Sequence, residues 1–427
     1  LPLQFMVVGL LALFTGAGWL MAQPDVLAIS RYLPDAVAVT HLFVLGWLCS
    51  VVMGAVYQLV PVALETKLYS ERLANWQFLF HVVGFVGMVF MFQTWNMKLL
   101  GYFGALLTVG VILFAYNVAR TLLRVPKWNV IATGVASALA WLLFTVTAGL
   151  LLVAGQRGYT PMLQFNSIAT MDAHAHLGAV GFFTMLIVGV SYKLVPMFTL
   201  SEVQNHRRAT GSVVLLSVGL AGLFAGILLQ KPWKLVFALV IIAALAFHSW
   251  ELLAIVRARK RRALDWGVRY FLTAIAMLLP LSILAIVLCW PGLPSNEFTA
   301  QLESVYGFLG FIGFVSFAIL GMLYKIIPFL IWFGIYSKHI GRSQVPALAD
   351  MYSMQMQAVG YWTYLAGLLA TVLATLFASA TGVRIGCGLL ALSLAVFTVN
   401  VGKILSHYFR PKLTPLTANK ATNRTVI

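Results

Sequence analysis

Three of the eight histidines in this chain, His41, His174 and His176, stand near the start of long apolar segments. Imidazole is a usual axial ligand of heme iron, so the chemistry that these residues offer is metal or heme binding. An ionisable side chain is expensive in an apolar segment that crosses a membrane, and such a residue is by default a candidate for function. The alternative is that all three are hydrogen-bonded packing residues. Two of them form the short pattern HAH, which favours the functional interpretation.

The composition places these histidines in a membrane protein. Of 427 residues, 61% are hydrophobic and 9% are charged, whereas a soluble domain carries about 25% charged residues. A spanning helix needs about 20 apolar residues, and strands alone cannot satisfy their backbone in lipid. The sequence therefore predicts an all-α integral membrane protein. Its twelve predicted transmembrane helices cover 1–22, 37–62, 73–94, 99–123, 129–153, 172–198, 210–229, 233–256, 268–290, 302–334, 356–378 and 383–409.

The first segment, 1–22, also resembles a signal peptide, but it is too long and lacks a basic start, so we expect a spanning helix. The cysteines, Cys49, Cys289 and Cys387, show no CxxC spacing. We interpret them as small apolar core residues without a disulfide or a metal.

The net charge of +17 does not indicate nucleic-acid binding, because the basic residues lie between apolar segments. Their distribution instead predicts how the chain is oriented in the membrane. Loops that follow even-numbered segments contain Lys67, Arg72, Arg124, Lys127, Arg207, Arg208, Arg257, Arg259, Lys260, Arg261, Arg262, Arg342, Arg410 and Lys412. Loops that follow odd-numbered segments contain chiefly Arg31, Lys98, Arg157, Lys231, Lys234 and Arg384. Positive loops stay inside. We therefore expect an inner-membrane protein with both termini, including a tail at 413–427, in the cytoplasm.

An internal repeat organises the chain. The second segment reads HLFVLGWLCSVVMGAVYQLVP from His41 to Pro61, and the sixth reads HLGAVGFFTMLIVGVSYKLVP from His176 to Pro196. The two align without a gap. The tenth segment gives a third copy from Phe308 to Pro328, with phenylalanine in place of histidine.

The helices that follow also echo one another, with HVVG at 81–84, LSVG at 216–219 and QAVG at 357–360. The sequence predicts one membrane domain, 1–427, made of three four-helix units at about 1–125, 126–262 and 263–412. These units would surround a pseudo-threefold axis, with the second, sixth and tenth helices innermost.

The geometry of a helix restricts how the histidines can pair. Residues two apart point about 200° apart, so His174 and His176 should face different spaces between helices. By the repeat, His41 and His174 then face each other, and bis-histidine coordination by this pair is the symmetric expectation. His41 could instead pair with His176 if the repeat is imperfect. The remaining histidine would hold a second heme or pack.

The other histidines are weaker candidates. His81, in the third segment, is a candidate ligand of a second metal, copper or iron. Tyr306 takes the position of His174 in the third unit, where it could face His176. His206, His339 and His407 lie at helix ends and are expected to be solvated.

These motifs resemble subunit I of the heme-copper oxidase and nitric oxide reductase superfamily. The 41–61 stretch, followed by LYSERLA at 68–74, is similar to the second helix of nitric oxide reductase large subunits, where the histidine ligates low-spin heme. HAHLGAVGFF at 174–183 is similar to the HxHL motif of that family, whose two histidines bind two hemes. The resemblance implies a b-type heme, one or two per chain, held by His41, His174 and His176.

The chain also departs from that family. The HxH motif belongs on the tenth helix there, and here it lies on the sixth. No histidine pair for copper or non-heme iron is visible, and Leu45 and Val180 stand where an oxidase tyrosine would follow a histidine by four. Asp172 and Glu251 are the acids at membrane depth. The chain thus resembles a diverged member, comparable to the NnrS family of twelve-helix heme proteins linked to nitric oxide stress.

Three functions follow from this interpretation. The first is a heme-bearing redox protein, an oxidoreductase or electron carrier that handles electrons or nitric oxide in a respiratory chain. Its partners would be membrane lipid, a cytochrome c-like or other redox protein at the outer face, and a larger complex or oligomer. The second is a transporter or sensor without catalysis. The third is a structural subunit that has lost its cofactors, as Phe308 in place of histidine would allow.

Overall fold

The computed structural model describes residues 1–28, 33–156, 165–261 and 263–415. Arg31, Arg157, Arg262 and the predicted tail beyond residue 415 lie outside the described residues. Within these residues, 12 helices are long and apolar enough to cross a membrane, as predicted. They are α1 (Pro2–Ala22), α2 (Pro34–Ala63), α3 (Glu71–Gln93), α4 (Met97–Leu122), α5 (Val130–Gln156), α6 (Ser167–Thr199), α7 (His206–Leu228), α8 (Lys234–Arg257), α9 (Trp266–Cys289), α10 (Glu297–His339), α11 (Met354–Leu376) and α12 (Ala380–Phe409).

The helices that carry the candidate histidines begin earlier than predicted. Helix α6 starts five residues before position 172, because the Asn166 side chain accepts hydrogen bonds from the backbone N–H groups of Ile168 and Ala169, at 2.9 and 3.1 Å. Helix α2 starts at Pro34. Proline suits the first turn because the backbone N–H groups there have no intrahelical acceptor, so its missing N–H costs no hydrogen bond. His41, His174 and His176 therefore lie inside helices, about two to two and a half turns from their starts.

Short elements complete the described structure. A helix of one turn, Asp25–Ala28, follows α1, and a 3-10 turn, Leu348–Met351, precedes α11. Two strands, Ser343–Gln344 and Thr414–Pro415, pair antiparallel. These elements connect helices and do not approach the candidate site.

Helices α2, α6 and α10 form the interior of the bundle. In their most apolar stretches 78%, 72% and 78% of residues are buried, against 17–44% in the other nine described spans. Helix α1 packs against both α2 and α12, so the first and last helices meet and close the outer ring. This arrangement is the predicted architecture, in which one inner helix comes from each unit.

Each inner helix contains a π-helical segment at the same place. The segments are Leu42–Cys49, Leu177–Thr184 and Leu309–Val315, and each begins directly after His41, His176 or Phe308. A hydroxyl group ends each one by donating to the carbonyl five residues earlier: Ser50 to Leu45 at 3.3 Å, Thr184 to Ala179 at 2.8 Å, and Ser316 to Phe311 at 2.8 Å. Because π-helical turns are rare and concentrate at functional sites, three in register support both the repeat and the importance of this level.

Close helix contacts set the register of the outer hairpins. A Cβ at Gly84 would lie 2.8 Å from the backbone nitrogen of Leu107 in the α3–α4 hairpin, and one at Gly367 would lie 2.8 Å from that of Leu390 in α11–α12. Gly219 approaches Ile241 in the same way in α7–α8. The equivalent of Gly84 is therefore Gly367, and the predicted equivalence of the QAVG motif was wrong by two turns. A Cβ at Gly360 would instead lie 3.1 Å from the Tyr270 hydroxyl oxygen.

A polar clamp recurs where the inner helix of each unit turns into the next helix. Asn117 on α4 accepts from the N–H of Ser70 and donates to its carbonyl, at 3.0 and 2.8 Å. Asn400 on α12 makes the same pair with Ser353, at 2.8 and 3.0 Å. The clamped serine caps the following helix in both units. In the second unit the clamp residue is Glu251, which accepts from the N–H groups of Gln204 and Asn205 and from the Arg208 side chain.

Candidate functional site

His41 and His176 are held in the same way. The Nδ1 atom of His41 lies 2.8 Å from the carbonyl oxygen of Val37, and Nδ1 of His176 lies 2.7 Å from that of Asp172. A carbonyl can only accept, so Nδ1 is the protonated nitrogen in both rings. Neutral imidazole then has its lone pair on Nε2. This tautomer, with its orientation set by a backbone hydrogen bond, is the one that a metal-ligating histidine commonly uses.

The His41 ring packs on an aromatic ring of the neighbouring helix. Its centroid lies 4.3 Å from that of Phe92 on α3, with 29° between the planes. Phe92 is itself buried. The contact and the Val37 hydrogen bond together limit the rotation of the imidazole, so His41 points in one direction without any ligand present.

His174 lies on the other side of α6 from His176 and shares a space with His41. The two imidazoles are close enough for their charges to interact. The His174 ring also contacts α5 at Gly149, where a Cβ would lie 3.1 Å from Cε1. Any larger residue at Gly149 would therefore compete with the imidazole for space.

The chemistry of His174 fits a ligand better than a packing residue. Its Nδ1 is buried and has no hydrogen-bond partner among the described residues. Leaving such a nitrogen unsatisfied costs about 1–3 kcal/mol, and Nδ1 of His81 and Nε2 of His248 are buried in the same way. A buried imidazole with an unsatisfied nitrogen, a glycine that admits its ring and a second imidazole nearby form a donor set that fits heme iron.

His176 faces a different space, as the rotation of about 200° predicts. It lines an open-sided cavity of about 250 Å³ bounded by α6, α7, α8, α9 and α10, together with Tyr306 and Glu303. The Tyr306 ring stacks on the imidazole, with centroids 5.9 Å apart and 25° between the planes. The far end of the cavity is apolar, with Ile241, Leu245 and others lining it. Tyr306 is thus a direct neighbour of His176.

His81 does not join the other three histidines. Its Nε2 lies 2.9 Å from the Ser50 hydroxyl, at the end of the first π-helical segment. Phe92, which stacks on His41, is eleven residues further along α3, or about 16 Å at 1.5 Å per residue. Within the described ranges, no group of three or more His, Cys, Asp or Glu side chains could hold a metal ion. Metal binding at His81 stays a prediction without a partner.

One sequence-based expectation was wrong about a polar group near the positive loops. His407 is not solvated: it is 4% exposed and its Nδ1 lies 2.7 Å from the Tyr336 hydroxyl, because α12 packs against the end of α10. Glu251, considered as an acid at membrane depth, is occupied by the clamp and by a 2.6 Å ion pair with Arg208. The sequence analysis also missed the contact between His248 Nδ1 and the Tyr192 hydroxyl, at 3.0 Å. A tyrosine at this repeat position of every inner helix was the available signal.

Comparison with known proteins bears on the fold alone. No family model matches the chain, and no curated protein matches it. Among solved structures, a chain of a heme-copper terminal oxidase dimer, determined by cryo-electron microscopy, superposes with a TM-score of 0.66. The match has 10% sequence identity and covers 94% of this chain and 82% of that one.

The fold is similar to that of a heme-copper terminal oxidase. This confirms the predicted fold at the level of overall architecture, and the buried fractions place α2, α6 and α10 innermost. At 10% identity the likeness does not extend to ligands or chemistry. The likeness to the NnrS family, the heme and the link to nitric oxide stay predictions.

Proposed function

We propose that this chain is a heme-binding redox protein of the inner membrane that passes electrons, or handles nitric oxide, in a respiratory setting. One observation carries the proposal: the imidazoles of His41 and His174, on adjacent inner helices, are close enough to interact electrostatically. His174 has a buried nitrogen with no protein partner among the described residues. Packing alone gives no reason for this arrangement.

In this proposal His41 and His174 hold one b-type heme. Val37 fixes the tautomer of His41, Phe92 fixes its ring, and Gly149 leaves room for the ring of His174. The neutral imidazoles of His41 and His174 would hold the heme iron, and the heme would supply one-electron transfer. The apolar residues of α2, α3 and α6 exclude water, and a dry, preorganised site favours fast electron transfer over side reactions.

His176 is the proposed ligand of a second heme. The cavity beside it has a volume of about 250 Å³, just below the roughly 300–1,000 Å³ typical of small-molecule sites. Tyr306 is the neighbour that such a group would meet first. The chain would therefore hold one or two hemes. A second heme would bind His176 only if the Tyr306 ring moves away from the imidazole on which it stacks.

The proposed orientation puts both termini and the 257–261 loop in the cytoplasm, because that side carries the positive loops. The histidines then lie near the outer face, within reach of a cytochrome c-like or other redox partner. The oxidase chain that this fold matches belongs to a dimer, and we propose that this chain also works in a larger complex or oligomer.

Cysteine labelling tests the orientation. In a Cys289→Ser background, Lys260→Cys should resist a membrane-impermeant maleimide added to intact cells, and Lys98→Cys, at the exposed start of α4, should react. Reaction at Lys260→Cys, with protection at Lys98→Cys, would reverse the proposed topology.

The absorption spectrum of the purified protein tests the heme. We expect a Soret band, and pyridine hemochrome quantitation should give one or two b-type hemes per chain. His206→Ala is the matched control, because His206 is exposed at the start of α7. A heme-free protein that is otherwise folded would favour a transporter, sensor or structural subunit instead.

A further inference from the structure

The end of α4 carries two arginines stacked on one tyrosine. The guanidinium carbons of Arg120 and Arg124 lie 4.7 and 4.8 Å from the ring centroid of Tyr69. Arg120 also donates to the Tyr116 hydroxyl at 3.0 Å. The backbone N–H of Tyr69 donates to Thr121 at 3.0 Å, which fixes the tyrosine against the helix. Two like charges are thus held side by side on a rigid base.

Neither cation is neutralised by the protein. Both arginines are exposed, and the described residues give neither a carboxylate within 4.0 Å. The contrast with Arg208 is direct, since that guanidinium also stacks on an aromatic ring, Trp250, but is paired with Glu251 at 2.6 Å. Two positive charges beside one ring, with no carboxylate paired to either, attract an anion to this place on the surface.

The repeat shows that the fold does not require these arginines. The clamp residues Asn117, Glu251 and Asn400 set the register of α4, α8 and α12. In that register the positions of Arg120 and Arg124 are occupied by Ala254 and Ala258 in the second unit. Helix α8 forms there without a cation at either position. The arginine pair in α4 is therefore not needed to form the helix, and its role is an interaction outside the bundle.

The surroundings identify the class of ligand. Val109, Ile112, Tyr116 and Leu123 follow one another at helical spacing on the face that Arg120 shares, and they are 43%, 51%, 45% and 76% exposed. An apolar stripe on the outside of a spanning helix faces acyl chains, and basic residues at its end meet lipid headgroups. We propose that Tyr69, Arg120 and Arg124 bind the phosphate of an anionic phospholipid whose acyl chain lies along this stripe of α4.

Native mass spectrometry of the detergent-solubilised protein tests this site. Phosphatidylglycerol or phosphatidylcholine is titrated into the wild type, into the double variant Arg120→Gln/Arg124→Gln, and into Lys403→Gln. Lys403 takes the place of Arg120 in the third unit and is the matched control. Each basic residue near a membrane contributes about fivefold to anionic lipid affinity, so the double variant should bind phosphatidylglycerol roughly 25-fold more weakly.

The remaining arms decide the source of the anion. The wild type and Lys403→Gln should retain phosphatidylglycerol over phosphatidylcholine, and Arg120→Lys/Arg124→Lys should keep most of that preference because it keeps the charge. Excess inorganic phosphate should not displace the lipid, because it lacks the acyl contact. Displacement by phosphate, no preference in the wild type, or an equal loss in Lys403→Gln would each overturn the proposal. None of these readouts depends on heme.

Discussion

Helices α2 and α6 differ from α10 at one chemically important position, and the rest of the local structure is the same. His41 and His176 precede the π-helical segments of α2 and α6, whereas Phe308 precedes that of α10. The segment forms in all three cases, and in all three a hydroxyl group ends it. The fold therefore does not need an imidazole here. Histidine at two of the three positions has a reason other than helix geometry.

A second position sharpens the comparison. Two residues earlier, the three inner helices carry Val39, His174 and Tyr306 in register. Helix α6 alone has histidine at both places, and its two rings face different spaces. The chemical difference between the units is therefore concentrated at the start of α6, between α2 on one side and α10 on the other.

The largest predicted effect comes from making α6 resemble its neighbours. His174→Val gives α6 the residue that α2 has at the equivalent position, Val39. This variant should abolish the low-spin heme spectrum because one of the two proposed heme ligands is lost. His176→Phe, which copies Phe308, should leave that spectrum intact. Absorption spectra of the two purified variants decide between the pairings. The opposite result would mean that His41 pairs with His176 and that the repeat is imperfect at this level.

The next effect concerns the clamps. Glu251→Ala should lower the free energy of unfolding by about 3–5 kcal/mol, because it leaves the Arg208 charge and two backbone N–H groups without their buried partner. Asn117→Ala should cost about 1–3 kcal/mol, since only neutral groups lose partners. Thermal melts in detergent compare the two.

Glu251→Gln is the control for that comparison. It turns the second clamp into an amide like the other two, keeps an acceptor for the N–H groups, and should cost less than Glu251→Ala. Equal losses for Gln and Ala would mean that the charge, and not the clamp, stabilises this loop.

A smaller effect is expected at His248. His248→Leu removes the imidazole from the Tyr192 hydroxyl, which keeps its 2.7 Å hydrogen bond to Ser212. The expected cost is about 1 kcal/mol of stability, the usual value of one hydrogen bond, with no change in the heme spectrum. A change in the heme spectrum would indicate that His248 belongs to the redox site and not only to the packing of the second unit.

The smallest effect concerns catalysis. In the proposed electron-transfer role, the chain alone should reduce oxygen or nitric oxide slowly or not at all. His81→Ala should not change that rate, measured with an oxygen or nitric oxide electrode. Rapid turnover that is lost in His81→Ala would show that His81 acquires metal-binding partners in the working protein.

The sequence was sufficient for features that repeat or that lipid dictates. The twelve spans follow from hydropathy, and the equivalence of α2, α6 and α10 follows from motifs around His41 and His176 that align without a gap. The angular relation of His174 to His176 followed from helix geometry.

Features that depend on tertiary contacts could not be predicted in this way. The π-helical segments have no distinctive composition. At the end of each one, a hydroxyl group donates to the carbonyl oxygen five residues earlier. The burial of His407 depends on Tyr336 of another helix. The register of the third hairpin is set by the contact at Gly367, where the local motif at Gly360 was misleading.

The most direct test of the central claim is the absorption spectrum of His41→Phe beside that of the wild type. Phe308 shows that phenylalanine is accepted at this position of an inner helix, so the variant should fold, with unchanged helical content by circular dichroism. The account predicts a Soret band and a low-spin spectrum in the wild type, and the loss of that low-spin spectrum in His41→Phe. A folded wild type without heme, or a His41→Phe variant with an unchanged low-spin spectrum, would contradict it.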